Sequence, residues 1–79
     1  MAFYTQINKV SETEDWVDYE FWESETDVGS LRLDRKAGKV TALREIKAAN
    51  TEAVFIRASW RVLRHFVAGD FPEHTCWAS

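Results

Sequence analysis

The chain has 79 residues, of which 46% are hydrophobic and 29% are charged, and its formal net charge at pH 7 is −3. This length predicts one small globular domain over residues 1–79, and the balance of apolar and charged residues excludes a disordered chain. No apolar run exceeds four residues, which excludes a membrane-spanning segment.

The cysteine content points to a reducing compartment. The single cysteine, Cys76, excludes a disulfide framework within the chain. The first six residues carry neither the basic stretch nor the apolar stretch that a secretory signal needs. We therefore expect a protein that acts in the cytoplasm.

Charge is distributed unevenly along the chain. Residues 1–28 hold eight acids and one base, a net charge of −7, whereas residues 29–79 hold nine bases and five acids, a net charge of +4. Such asymmetry is compatible with a nucleic-acid or acidic partner. The favoured interpretation is that the two halves neutralise each other on folding, because neither half alone has the apolar residues for a core.

Four segments have the composition and alternation of β-strands. They cover residues 3–10, 16–23, 29–34 and 39–46. In the second segment Val17, Tyr19 and Phe21 share one face, and acids occupy the other. A tight turn is predicted between the last two segments, because Asp34 can bond the turn backbone and Gly38 can adopt a positive φ.

One helix is predicted over residues 51–68. Asn50 is suited to cap its N-terminus, and Gly69 followed by Pro72 is suited to end it. Residues at helical spacing predict the side that packs on the core, namely Phe55, Ile56, Ser59, Val62, Leu63, Phe66 and Val67. Residues 73–79 show no clear period, so a short irregular tail is predicted, with Trp77 folded back onto the body.

These elements predict the α+β class, as an antiparallel meander of three to four strands packed on one C-terminal helix. Short loops fix the pairing between the strands. The predicted inner rows are Ile7–Tyr19–Leu33–Val40 and Thr5–Phe21–Leu31–Ala42. On the outer face Glu20 is predicted to lie opposite Arg32, and Asp18 in the row that ends at Lys39.

The outer face also yields the leading functional hypothesis. The same register places Tyr4, Trp22 and Leu43 in one solvent-facing row, and aromatic residues are preferred anchors of protein interfaces. Asp18 and Glu20 lie beside this row and favour a basic partner. The sequence therefore predicts a small non-enzymatic protein-binding module, of a regulator or inhibitor type, whose partner is another protein or a second copy of itself.

The helix carries the alternative hypothesis. Arg57, Arg61 and Arg64 follow one another at i, i+4 and i+7, with Trp60 beside them. Such a stripe can lie along a phosphate backbone while the indole stacks on a base. Nucleic acid is the less favoured partner, because a chain of net negative charge repels phosphates at longer range.

The histidines and the cysteine do not form a recognisable catalytic or metal-binding motif. His74 and Cys76 make one short pair, and His65 lies nine residues before His74. Zinc needs three or four ligands within tetrahedral reach, and a cysteine nucleophile needs an adjacent base in a cleft. We therefore expect no catalytic residues, no metal and no cofactor.

Overall fold

The computed structural model describes residues 4–24, 27–44 and 51–78. The elements in chain order are β1 (Tyr4–Glu12), β2 (Trp16–Ser24), β3 (Asp27–Asp34), β4 (Lys39–Arg44), α1 (Thr51–Ala68) and β5 (His74–Ala78). The strands form one antiparallel sheet in the order β4-β3-β2-β1-β5, and α1 packs on one face of it. The predicted α+β class is confirmed. Asn50 and the last two residues of the predicted fourth strand lie outside the described residues.

The C-terminal tail is a strand rather than an irregular segment. β5 pairs with β1 so that Thr75 lies opposite Ile7 and Trp77 lies opposite Thr5. Five residues are too few for the alternation to stand out in the sequence, although Thr75 is buried and His74 is exposed. Because β5 extends the sheet beside β1, the tail does not lie over the outer face of the sheet.

The strand residues predicted to face the core do so, but the predicted pairing of the first three strands is wrong by two residues. Ile7 lies opposite Phe21 rather than Tyr19, and Tyr19 lies opposite Leu31 rather than Leu33. A bulge between Lys9 and Ser11 lengthens β1 and shortens the loop that follows it. A shift of two residues keeps every side chain on its face, so the hydrophobic pattern does not distinguish the two registers.

The turns between strands are held by side chains that bond the backbone. The hydroxyl of Thr13 accepts hydrogen bonds from the backbone N–H groups of Asp15 and Trp16. Asp34 accepts from the N–H groups of the two residues at the centre of the next turn, and Gly38 has a φ of 65°. That second turn is the one that the sequence predicts.

Helix α1 buries a narrower face than the sequence predicts. Val54, Ala58 and Val62 are fully buried on the inner face of the sheet. Ile56 and Val67, predicted to belong to the core side, are 37% and 84% exposed. At 3.6 residues per turn, Ile56 and Val67 lie roughly 160° or more around the helix from the centre of that buried face, so they face solvent.

The helix ends where the sequence predicts. Gly69 has a φ of 73° and donates from its N–H to the carbonyl of Phe66, while Asp70 donates to the carbonyl of His65. This pair of bonds is a Schellman motif, which satisfies carbonyls that the last turn leaves open. The chain then turns back at Pro72 into β5.

Candidate functional site

A shallow groove lies on the outer face of the sheet. It has a volume of about 230 Å³, and its apolar lining comes from Val10, Val28 and Leu43. Val10 and Leu43 are 57% and 50% exposed, so apolar surface of the groove is open to solvent. Leu43 reaches the groove because β4 has an irregular register beside Ser30.

Of the two predicted acidic groups, Asp18 is neutralised within the fold. Arg32 donates from Nε to Oδ1 of Asp18 at 2.8 Å and from Nη2 to Oδ2 at 3.0 Å. The same guanidinium lies 4.5 Å from the centre of the Trp16 ring. The carboxylate of Asp18 raises the pKa of Arg32 mainly through these hydrogen bonds. Cross-strand neutralisation is thus present, with Asp18 rather than Glu20 opposite Arg32.

Glu20 is the exposed acid of the groove. It lines the groove together with Asp18 and Leu43, and it lies between Asn8 on β1 and Ser30 on β3. Both neighbours are uncharged and Glu20 is exposed, while Arg44, which lies opposite Ser30 on β4, lines the same groove. Three of the five predicted protein-binding residues therefore meet at this groove.

Tyr4 and Trp22 lie on the same outer face but not in the predicted row. Trp22 lies opposite Gln6 and is half-buried, while Tyr4 lies opposite Ala78 and is exposed. Strand β3 separates Trp22 from Leu43. The shifted register is the reason that the two aromatic residues sit at one end of the face, away from Leu43.

The predicted basic stripe on α1 is partly occupied by contacts within the fold. Arg57 donates from Nη1 to Oε2 of Glu23 at 3.0 Å, and its guanidinium lies 5.2 Å from the centre of the Trp77 ring. The hydroxyl of the buried Thr5 donates to the same carboxylate oxygen at 2.8 Å. Arg57 therefore joins the helix to β2 and β5.

The rest of the stripe borders a second groove, between α1 and β5. Its volume is about 320 Å³, and it is lined by Trp60, Arg61, Arg64, Cys76 and Trp77. Trp60 is 61% exposed. The sequence identified the three helix residues, but it missed Cys76 and Trp77 because the tail was not predicted to be a strand.

The histidines belong to separate contacts. Nε2 of His65 lies 3.0 Å from the hydroxyl of the buried Thr75, whereas Nδ1 of His74 bonds the side-chain oxygen of Asn8. Cys76 is a free thiol that is partly buried. Within residues 4–24, 27–44 and 51–78, no three His, Cys, Asp or Glu side chains cluster as metal ligands.

The other shifted pKa values arise from the core and the turns. Burial raises the pKa of the Tyr19 phenol to about 12, and this hydroxyl lies 3.4 Å from the carbonyl of Pro72. A hydrogen bond from Lys9 lowers the pKa of Glu12. Backbone N–H groups of the β3–β4 turn lower the pKa of Asp34. These shifts mark structural contacts.

Comparisons of the chain with protein-family models, with curated proteins and with solved structures find no match. Among the helical residues that the structure describes, no stretch is long and apolar enough to cross a bilayer.

Proposed function

We propose that the chain is a small non-enzymatic protein-binding domain that uses the outer face of its sheet. The observation that carries this proposal is the groove where exposed Leu43 and Val10 lie beside the carboxylate of Glu20. Exposed aliphatic side chains that line a groove gain free energy when a partner covers them. The groove is then the centre of the interface.

The charges and aromatic residues around the groove suggest the chemistry of the partner. Glu20 favours a basic side chain placed next to an apolar one. Asp18 contributes by holding Arg32 in place rather than by attracting the partner. Tyr4 and Trp22 extend the surface toward β1 and supply the aromatic contacts that anchor interfaces. A regulator or inhibitor that occludes a basic target in the cytoplasm fits these features.

The arrangement of the thiol supports a binding role over an enzymatic one. The hydrogen bond found for His74 is to the side-chain oxygen of Asn8 on β1, and among the described residues none joins its imidazole to the thiol of Cys76. The His74–Cys76 pair is better explained as part of the edge strand.

Nucleic-acid binding by α1 is the second candidate. Exposed Trp60 and Arg64 favour it, since an indole can stack on a base while a guanidinium contacts a phosphate. Arg57 counts against it, because its guanidinium is engaged with Glu23 and Trp77. This candidate predicts affinity that falls steeply with salt.

The two candidates are separated by affinity capture with the tagged full-length chain from a lysate of its source organism, in nuclease-treated and untreated halves. Leu43→Asp places a charge in the outer groove, and Val67→Asp makes the same change at an exposed site on α1. We expect one dominant protein in both halves, captured by the wild type and Val67→Asp and lost with Leu43→Asp. Capture that Leu43→Asp retains, or that nuclease removes, contradicts the proposal. Size measurement of the purified chain identifies the case in which the partner is a second copy.

A further inference from the structure

The two edges of the sheet are protected to different degrees. The β4 edge begins with Lys39, ends with Arg44 and has an irregular register near Leu43. Charged residues and bulges of this kind prevent another strand from pairing with an edge. β5 has the sequence HTCWA, with no lysine, acid or proline. It is therefore the edge that is open to a further strand.

One hydrogen bond between β1 and the residue before β5 shows which residues of β5 direct their backbone groups toward β1. The N–H of Lys9 donates to the carbonyl of Glu73 at 2.7 Å. In an antiparallel pair, alternate residues direct both backbone groups to the same neighbour. Glu73, Thr75 and Trp77 therefore face β1, and the backbone groups of His74 and Cys76 point away from the sheet, where no other described strand lies.

A groove with basic and aromatic walls runs beside this open edge. Arg61 and Arg64 line it from α1, and the indoles of Trp60 and Trp77 complete it. None of the described residues that line it is acidic. The groove thus carries positive charge on a chain whose net charge is −3.

The outer side of α1 adds an apolar surface to the same region. Ile56, Trp60 and Val67 are exposed on the side of the helix opposite its buried face, whereas Leu63 is partly buried against the core. Leu63 and Val67 border a shallow hollow of about 550 Å³ that shares Trp60 and Arg64 with the groove.

We propose that the groove between α1 and β5 binds an extended acidic peptide segment, which adds to the sheet as a strand along β5. The open backbone groups of β5 supply main-chain hydrogen bonds, as in other cases of strand addition. Arg61 and Arg64 select carboxylates on the side chains that face the helix. This surface is distinct from the outer-sheet groove of the proposed function.

Charge favours an acidic peptide over a second copy of the chain. Pairing of β5 with β5 of another copy would place both helices on the same side of a continuous sheet. The arginines of the two copies would then approach each other across the symmetry axis, and like charges in such an interface oppose association. An acidic segment removes this repulsion and replaces it with attraction.

The test titrates the full-length chain with an acetylated and amidated hexapeptide of alternating glutamate and valine, followed by tryptophan fluorescence and backbone NMR. Three further probes serve as comparisons: the lysine–valine hexapeptide, the glutamate–valine hexapeptide N-methylated at alternate residues, and single-stranded oligothymidylate. We expect the acidic peptide to bind, with NMR shifts concentrated in β5 and α1. N-methylation, which removes peptide donors without altering charge, weakens this binding at least tenfold, and the lysine peptide does not bind.

Variants then test the residues. Arg64 is exposed, so Arg64→Glu leaves the fold intact and lowers the affinity for the acidic peptide at least tenfold. Lys39→Glu makes the same change of charge at the far edge and has no effect on this affinity. The proposal is overturned if the acidic peptide does not bind at millimolar concentration, if the N-methylated peptide binds equally well, or if Arg64→Glu has no effect. Preferential binding of oligothymidylate overturns it in favour of nucleic acid.

Discussion

Arg57 stacks on Trp77, with the guanidinium carbon 5.2 Å from the centre of the indole ring, while it donates to Glu23 at 3.0 Å. Three elements that are distant in the chain meet at this one side chain: α1, β2 and β5. The contact also shapes the groove, because Trp77 forms its wall. The edge strand is therefore docked by the same helix that borders the groove.

Arg57→Ala is expected to destabilise the protein by about 1–2 kcal/mol, since it removes a charged hydrogen bond and a cation–π contact between partly buried groups. Urea denaturation measures the change in the free energy of unfolding. Hydrogen exchange is expected to accelerate first in β5. Arg44→Ala, at an exposed site, is the control and is expected to change the free energy by less than about 0.5 kcal/mol. Equal effects of the two changes would contradict the docking role.

Gly29→Ala is expected to destabilise the fold by about 1–3 kcal/mol through overpacking. A Cβ at Gly29 would lie 2.6 Å from Cζ of Phe21 and 3.0 Å from the backbone oxygen of Arg44. Gly69→Ala is the comparison, because its φ is 73° and nothing lies within 4 Å of the added carbon. Gly69→Ala is expected to lower the free energy of unfolding by about 1 kcal/mol, through backbone strain alone. Thermal unfolding of both variants measures the difference, and a Gly29→Ala protein as stable as the wild type would contradict the packing of Phe21 on β3.

Tyr19→Phe is expected to remove a stability loss at high pH. Burial raises the pKa of Tyr19 to about 12, whereas an unfolded tyrosine has a pKa of about 10. Because the folded pKa is the higher one, the stabilisation is complete below about pH 10 and is lost as the pH rises toward 12. Between pH 9 and 11 the wild type is expected to lose roughly 1 kcal/mol more than Tyr19→Phe. Urea denaturation measures the free energy of unfolding of both proteins at each pH. If the two proteins lose the same free energy between pH 9 and 11, the burial of this phenol is refuted.

Asp34→Asn is expected to reduce the loss of folding stability that occurs as the pH falls. The N–H groups of Ala37 and Lys36 lower the pKa of Asp34 in the fold. A lowered folded pKa means that the stabilisation is present above the unfolded value, about 3.9, and is lost as the pH falls through the folded value. Thermal unfolding between pH 2 and 6 compares the two proteins. If both lose stability equally over this range, the turn does not depend on the Asp34 charge.

Local signals in the sequence were sufficient for the first four strands and the helix, but not for β5 or for the pairing of the first three strands. The Asp34 turn and the end of α1 at Gly69 are set by neighbouring residues, so both could be predicted. The bulge after Lys9 has no such signature, and a two-residue shift leaves the same residues buried. The predicted row of Tyr4, Trp22 and Leu43 failed for that reason.

The candidate sites were predicted in part, for a related reason. Both sides of α1 are apolar, so spacing alone could not show that Val67 faces solvent while Val62 is buried. Glu20 and Leu43 were predicted on the outer face and do meet at the groove. Trp77 was missed because its place in the second groove depends on pairing with Thr5, which is 72 residues away in the chain.

The most direct test of the proposed function is photo-crosslinking in cells of the source organism, with benzoylphenylalanine in place of Leu43 and, as the control, in place of Lys36. Lys36 lies in the turn before β4, and its side chain is highly exposed. We predict one dominant protein adduct from position 43 that is absent from position 36. No adduct at position 43, or the same adducts at both positions, would contradict protein binding through the outer face of the sheet.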